Sequence, residues 1–217
     1  MFKRNKIKPS LPKEILQEYY EQYGKDKVFC RAPFNSLYFF KNGDVAACCI
    51  NRNHFIYNSY RTHSLNEIIN SDRRKQLQKH IRKHNLNLGC SICQNEMMSK
   101  NFSNVLATFY RKQKMKKHQI TRIDFELSNN CNLDCIMCFR GYGSAYSAYD
   151  DKFLQELRPF LNKIKFANFI GGEPFIIDIY YKIWDYLLKN NSDCNINIQT
   201  NGTILNDKNI ELIKSPN

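Results

Sequence analysis

Nine cysteines punctuate the 217 residues, and their spacing points to metal chemistry. Cys131, Cys135 and Cys138 stand as C-x3-C-x2-C, and Cys90 and Cys93 as C-x2-C. Cys30, the adjacent Cys48 and Cys49, and an isolated Cys194 complete the set. Their share, about 4%, lies below that of disulfide scaffolds, and an odd number of clustered thiols favours metal or cluster ligation. Three thiolates on one short loop can hold three irons of a four-iron cube and leave the fourth open for chemistry. Offsets of four and seven also describe a helix face, but Ser128, Asn129, Asn130 and Asn132 are loop formers, so a ligating loop is the better reading. For the front cysteines, spacing alone leaves zinc and iron–sulfur both open, and His54 or His63 could join a zinc site. His80 and His84, among lysines and arginines, read as helix surface. Cys194 reads as a plain thiol.

These groups need elements to position them. Apolar residues at helical spacing predict a helix over 12–23. Residues 34–41 and 44–50 read as strands joined at Asn42-Gly43, a pair suited to a tight hairpin. If Cys48 and Cys49 lie on such a strand they face opposite ways, so only one can readily join a common site. Ser64 and Glu67 form a capping-box pattern that opens a helical region reaching His84 with a break near Ser71. Beyond residue 118, strands at 120–127, 166–170 and 196–199 alternate with helices at 152–164, 178–189 and 206–214. That order predicts parallel strands with functional loops at their carboxyl ends. The cysteine loop follows the first of these strands, Gly171-Gly172-Glu173-Pro174 the second, and Thr200-Asn201-Gly202-Thr203 the third. Glycines at a strand end let a ligand come close to the backbone. Tyr142, Tyr146 and Tyr149 recur at helical spacing and read as packing residues.

Composition sets the outer bounds. With 42% hydrophobic and 24% charged residues the chain can bury a core. No apolar run is long enough to span a membrane, and the basic start MFKRNKIKPSLPKE has no apolar stretch after it, so a cytoplasmic location is expected. Residues 1–120 carry 23 Lys and Arg against 8 Asp and Glu, whereas residues 121–217 carry 10 against 12. The asymmetry argues for two parts, the first with a solvated basic face.

On the C-x3-C-x2-C loop after one strand and the GGEP turn after the next, the chain resembles the radical S-adenosylmethionine (SAM) enzymes. The resemblance implies that Cys131, Cys135 and Cys138 ligate a [4Fe-4S] cluster whose open iron is chelated by SAM. It places the SAM amino group at the backbone of Gly171, Gly172, Glu173 and Pro174, with Asn201 nearby. It further implies one-electron cleavage of SAM to a 5′-deoxyadenosyl radical that abstracts hydrogen from substrate. Met137 stands where the family usually has an aromatic residue against the adenine. The front resembles the SPASM and Twitch modules, whose opening C-x(9–15)-G-x4-C selects Cys48. Cys30, Cys48, Cys90 and Cys93 would then hold a second, auxiliary [4Fe-4S] cluster.

The expected organisation is a basic segment with a short helix at 1–27, the auxiliary-cluster module at 28–110, a basic linker at 111–118, and radical SAM core at 119–217. The fold class is α/β, a partial parallel barrel preceded by a small α+β module. Only three strand–helix units fit after residue 118, so a fragment of a longer protein is expected. A peptide or protein substrate and a reducing donor such as flavodoxin or ferredoxin are the expected partners, with no nucleic acid and no membrane. Two alternatives are a non-catalytic basic zinc or iron–sulfur module binding nucleic acid through residues 71–83 and 111–118, and an inactive fragment.

Overall fold

The structure, a computed structural model, describes residues 7–112, 119–138 and 145–215. Its centre is one sheet of six described strands in the order β3-β2-β1-β4-β5-β6. These are β1 (Ser36–Phe40), β2 (Asp44–Ala46), β3 (Asn58–Ser59), β4 (Arg122–Glu126), β5 (Phe166–Ile170) and β6 (Asn195–Ile198). The helices of the front are α1 (Lys13–Tyr23), α2 (Ala32–Asn35), α3 (Leu65–Ile69), α4 (Asp72–Arg82), α5 (Ser91–Met98) and α6 (Ala107–Arg111). Those of the back are α7 (Asp151–Leu161), α8 (Asp178–Asn190) and α9 (Asp207–Lys214), one after each parallel strand. Among the described residues no helix is long and apolar enough to cross a membrane.

Where composition suggests two parts, the sheet joins them. β1 pairs in parallel with β4, from Ser36 opposite Arg122 to Phe40 opposite Glu126, and β4, β5 and β6 continue in parallel. The hairpin of β1 and β2 is antiparallel and turns at Gly43, whose φ of 91° suits glycine. The sequence of β1, SLYFF, is buried throughout, as a strand covered on both faces must be. On one face Phe39, Phe125 and Phe169 stack in a row, with centroids 5.9 Å and 4.9 Å apart. Phe153 of α7 meets Phe39 edge-on at 5.2 Å, and Trp184 of α8 meets Phe169 at 5.3 Å. The other face is more polar. There the Tyr38 hydroxyl donates to Glu126 Oε2 at 2.8 Å, and Arg122 pairs with the buried Asp124 at 2.6 Å. Burial and the adjacent Glu126 carboxylate hold the Tyr38 phenol well above its ordinary pKa.

Several local expectations need correction. The strand predicted over 44–50 ends at Ala46, and Cys49–Asn53 forms a 3-10 turn. Residues 145–149 are not helical, so the tyrosine spacing there does not mark a helix; Tyr149 is buried and donates to the Phe40 carbonyl at 2.7 Å, Tyr146 is exposed, and Tyr142 lies outside the described residues. His84 is not plain helix surface. It is half-buried at a positive φ of 52°, with its ring 3.0 Å from the Tyr20 hydroxyl, and burial lowers its pKa. Of the expected linker, Arg111 ends α6 and residues 113–118 lie outside the described residues.

The capping box is complete. Glu67 N–H donates to Ser64 Oγ at 3.3 Å, and Ser64 N–H donates to Glu67 Oε2 at 2.8 Å. Replacing Ser64 by Ala is expected to remove about 1 kcal/mol of stability. In a thermal melt that is a loss of about 2–4 °C for a chain of this size. An unchanged melt would show that the box contributes nothing.

Candidate iron–sulfur sites

β4, β5 and β6 run the same way, so the loops leaving Glu126, Ile170 and Ile198 meet at one edge of the sheet. The cysteine loop begins firmly: Leu127 N–H donates to the Tyr180 hydroxyl at 2.9 Å. The glycine turn then interlocks with it, Gly172 N–H donating to the Ser128 carbonyl at 2.9 Å and Glu173 N–H to the Asn130 carbonyl at 2.7 Å. Contact is so close that a Cβ on Gly172 would lie 1.7 Å from the Asn130 oxygen. Gly171, at φ 129°, is similarly confined, its Cβ position falling 2.6 Å from the Ser128 carbonyl oxygen. Both strain and space therefore require glycine at 171, and space alone requires it at 172.

Glu173 is fully buried and its carboxylate faces inward. Oε1 accepts from Phe175 N–H at 3.0 Å and from the Thr200 hydroxyl at 2.8 Å, while Oε2 accepts from Asn201 N–H at 2.8 Å. It is a strut that fastens the loop after β6 to the loop after β5. Pro174 starts a buried 3-10 turn behind it. Asn201 reaches the cysteine loop directly: its Nδ2 donates to Asn132 Oδ1 at 3.0 Å and lies 3.9 Å from Cys131 Sγ. Asn132 in turn donates to the Thr203 hydroxyl at 2.8 Å. The structure thus brings Cys131, the Gly171–Pro174 turn and Asn201 together at one edge. Cys135 and Cys138 stay on the same exposed loop, where Cys138 N–H donates to the Cys135 carbonyl at 2.9 Å. Ile136 and Met137 between them are 90% and 81% exposed, so the tip presents bare apolar surface beside the thiols.

The front cysteines form a separate site. Cys30, Cys48, Cys90 and Cys93 line one cavity of about 20 Å³, whose other walls are apolar except for Asn51 and Tyr110. Cys49 is exposed and does not line it, and neither does His54 or His63. The chain passes from an extended Cys48 into the turn at Cys49, which separates the two thiols. Cys90 sits at the N-cap of α5 and Cys93 in its first turn, where the helix end favours a thiolate. That short helix has no marked apolar stripe, so periodicity could not announce it.

Backbone amides near Cys30 (Ala32) and Cys93 (Leu106, Ala107) favour the thiolate, and the Asn51 side chain donates to Cys90 Sγ at 3.7 Å. Burial nevertheless dominates and raises all four thiols, Cys90 to about 12. The thiols must therefore shed protons on loading, and uptake of metal rises with pH. Among the described residues no three His, Cys, Asp or Glu side chains form a set for one metal ion. Three thiols on one loop and four around one cavity are donor sets that iron–sulfur clusters use.

The basic stretch at 71–83 is partly spent inside. Arg74 is buried and donates to the carbonyls of Pro33, Phe34 and Ile69, and Arg73 donates to that of Ile56.

A parallel α/β sheet with a three-cysteine loop at one edge, and four further cysteines around a cavity of the front part, offers the thiol sets of a metal- or cluster-binding protein. Comparison with known families narrows the class: residues 125–217 match the Radical SAM superfamily and residues 30–94 match SPASM, the iron-sulfur cluster-binding domain. The back of the chain is thus similar to radical SAM superfamily proteins, and its front to SPASM modules. The chain is also 38% identical over 109 residues to a protein of Methanocaldococcus jannaschii described as uncharacterized protein MJ0907, an alignment covering 45% of this chain and 35% of that protein. The aligned part thus spans about a third of that relative's length. No solved structure matches the chain.

Proposed function

We propose that the protein is an iron–sulfur enzyme that reductively cleaves SAM, with Cys131, Cys135 and Cys138 holding the catalytic [4Fe-4S] cluster and Cys30, Cys48, Cys90 and Cys93 an auxiliary one. Bound there, the cluster and SAM supply one low-potential electron and a 5′-deoxyadenosyl radical able to take hydrogen from an unactivated C–H bond. The observation that carries the reading is the interlock of three loops at one sheet edge, Gly172 locked on Asn130 and Glu173 tied to Asn201. The turn at 171–174 spends two N–H donors on the cysteine loop, so an ammonium group, which needs acceptors, suits it better than an anion. Asn201 offers an amide beside Cys131 and orients the third loop.

The six-stranded sheet suits a sector of a partial barrel whose polar face, carrying Glu126 and Asp124, looks toward the reaction space. A peptide or protein is the proposed substrate, a low-potential flavodoxin or ferredoxin the proposed donor, and the cytoplasm the proposed location.

Anaerobic reconstitution of the full chain tests the assignment. Two clusters predict about eight irons per chain and, after reduction, an EPR signal that SAM perturbs. Replacing Cys131, Cys135 and Cys138 together by Ala should lower the content to about four irons and abolish the SAM response. A triple variant whose signal still responds to SAM would overturn the assignment.

A further inference from the structure

Beyond the ligands themselves, we infer that Asn51 is a positioning residue for the front site, donating a hydrogen bond to the Cys90 sulfur that raises the reduction potential of the cluster held there. The inference rests on the cluster reading given above. Asn51 is 1% exposed in the turn Cys49–Asn53, which fastens it from both sides: Asn51 N–H donates to the Cys48 carbonyl at 3.2 Å, and His54 and Phe55 N–H donate to the Asn51 carbonyl at 3.0 and 2.8 Å. Its amide orientation follows from its neighbours. Nδ2 donates to the Gly89 carbonyl at 2.8 Å and to Cys90 Sγ at 3.7 Å, which uses both hydrogens, while Oδ1 faces Cys48 Sγ at 3.9 Å and accepts from the thiol. When Cys48 becomes a thiolate that last contact is lost, but the bond to Gly89 still aims the second hydrogen at Cys90.

Space has been left for this amide. Gly89, at φ 69°, would with a Cβ come within 2.9 Å of Asn51 Nδ2 and 2.7 Å of Phe55 Cβ. Glycine there lets the side chain pass beneath the loop that carries Cys90. Cys30 and Cys93 lie near backbone amides, whereas Cys90 draws on a side chain. A hydrogen bond to a ligating sulfur withdraws electron density and favours the reduced cluster. In a cavity whose walls, besides the four sulfurs, Asn51 itself and Tyr110, are apolar, solvent supplies little competition.

The test uses the full chain with Cys131, Cys135 and Cys138 replaced by Ala, so that only the front cluster reports. Asn51→Leu removes the donor at similar size; Asn51→Ala, which adds no bulk, stands in should the first variant fail to fold. After reconstitution, EPR-monitored redox titration should give a midpoint shifted to more negative potential in either variant, and a chelator should strip the iron faster. A midpoint equal to that of the Asn51 protein in a cluster-loaded variant overturns the inference. Absence of any front cluster in the Asn51 protein would instead overturn the reading on which it rests.

Discussion

Alanine at position 172 is expected to empty the cysteine-loop site while sparing the front one. The added Cβ would meet the Asn130 oxygen at 1.7 Å, the Asn130 carbonyl carbon at 2.3 Å and the Asn129 carbonyl carbon at 2.7 Å. All three are backbone atoms, so no rotamer change relieves the clash. The loop must move away from β5, breaking the Gly172–Ser128 and Glu173–Asn130 bonds that root it. Overpacking of this kind costs about 1–3 kcal/mol or more. Iron after reconstitution should fall from about eight to about four per chain. The SAM response should vanish with it. A Gly172→Ala protein with its full iron and an unaltered melt would show that the interlock does not hold the site together.

Glu173→Ala should act on the third loop. It removes an acceptor that serves two backbone N–H groups and one hydroxyl, and the Phe175 N–H is left buried without it. Hydrogen bonds to a charged acceptor contribute about 1.5–3 kcal/mol each, and three that share one carboxylate add less than fully, so a loss of about 3–5 kcal/mol is expected. Glu173→Gln keeps the shape but turns an amide NH2 group, a donor, toward one of the donors, and its stability should lie between those of the parent and the Ala variant. Denaturant unfolding measures both. Hydrogen exchange at Asn201 should rise in the Ala variant while the front module stays protected. Equal unfolding midpoints for the Ala variant and the parent would refute the strut.

The chemistry-bearing residues were legible because their types are rare and their spacing short. The cysteine loop, GGEP and Thr200–Thr203 each fall after a strand with a readable apolar pattern, so their meeting at one edge follows from parallel order alone. Glu173 was legible as a motif residue but not as a strut, since its partners Thr200 and Asn201 lie 27 and 28 residues away. Likewise the pairing of β1 with β4 has no local mark. SLYFF reads as a hairpin strand, and nothing in it says that its second edge waits for ITRIDFEL. Asn51 was missed because one amide in CCINRN carries no pattern, and Cys48 parted from Cys49 through a turn where alternation along a strand had been expected.

The placing of β1 between β2 and β4 also bears on how the chain is made. A ribosome that has finished α6 has delivered an apolar strand with one side still unmatched. Its mate emerges only after the stretch RKQKMKKH, at a pace of about 5–20 residues per second. Until then the nascent piece offers a sticky ribbon to its neighbours, and the five Lys and Arg in that stretch supply the repulsion that keeps such pieces apart. Misassembly during translation therefore threatens the front strand before β4 can cover it.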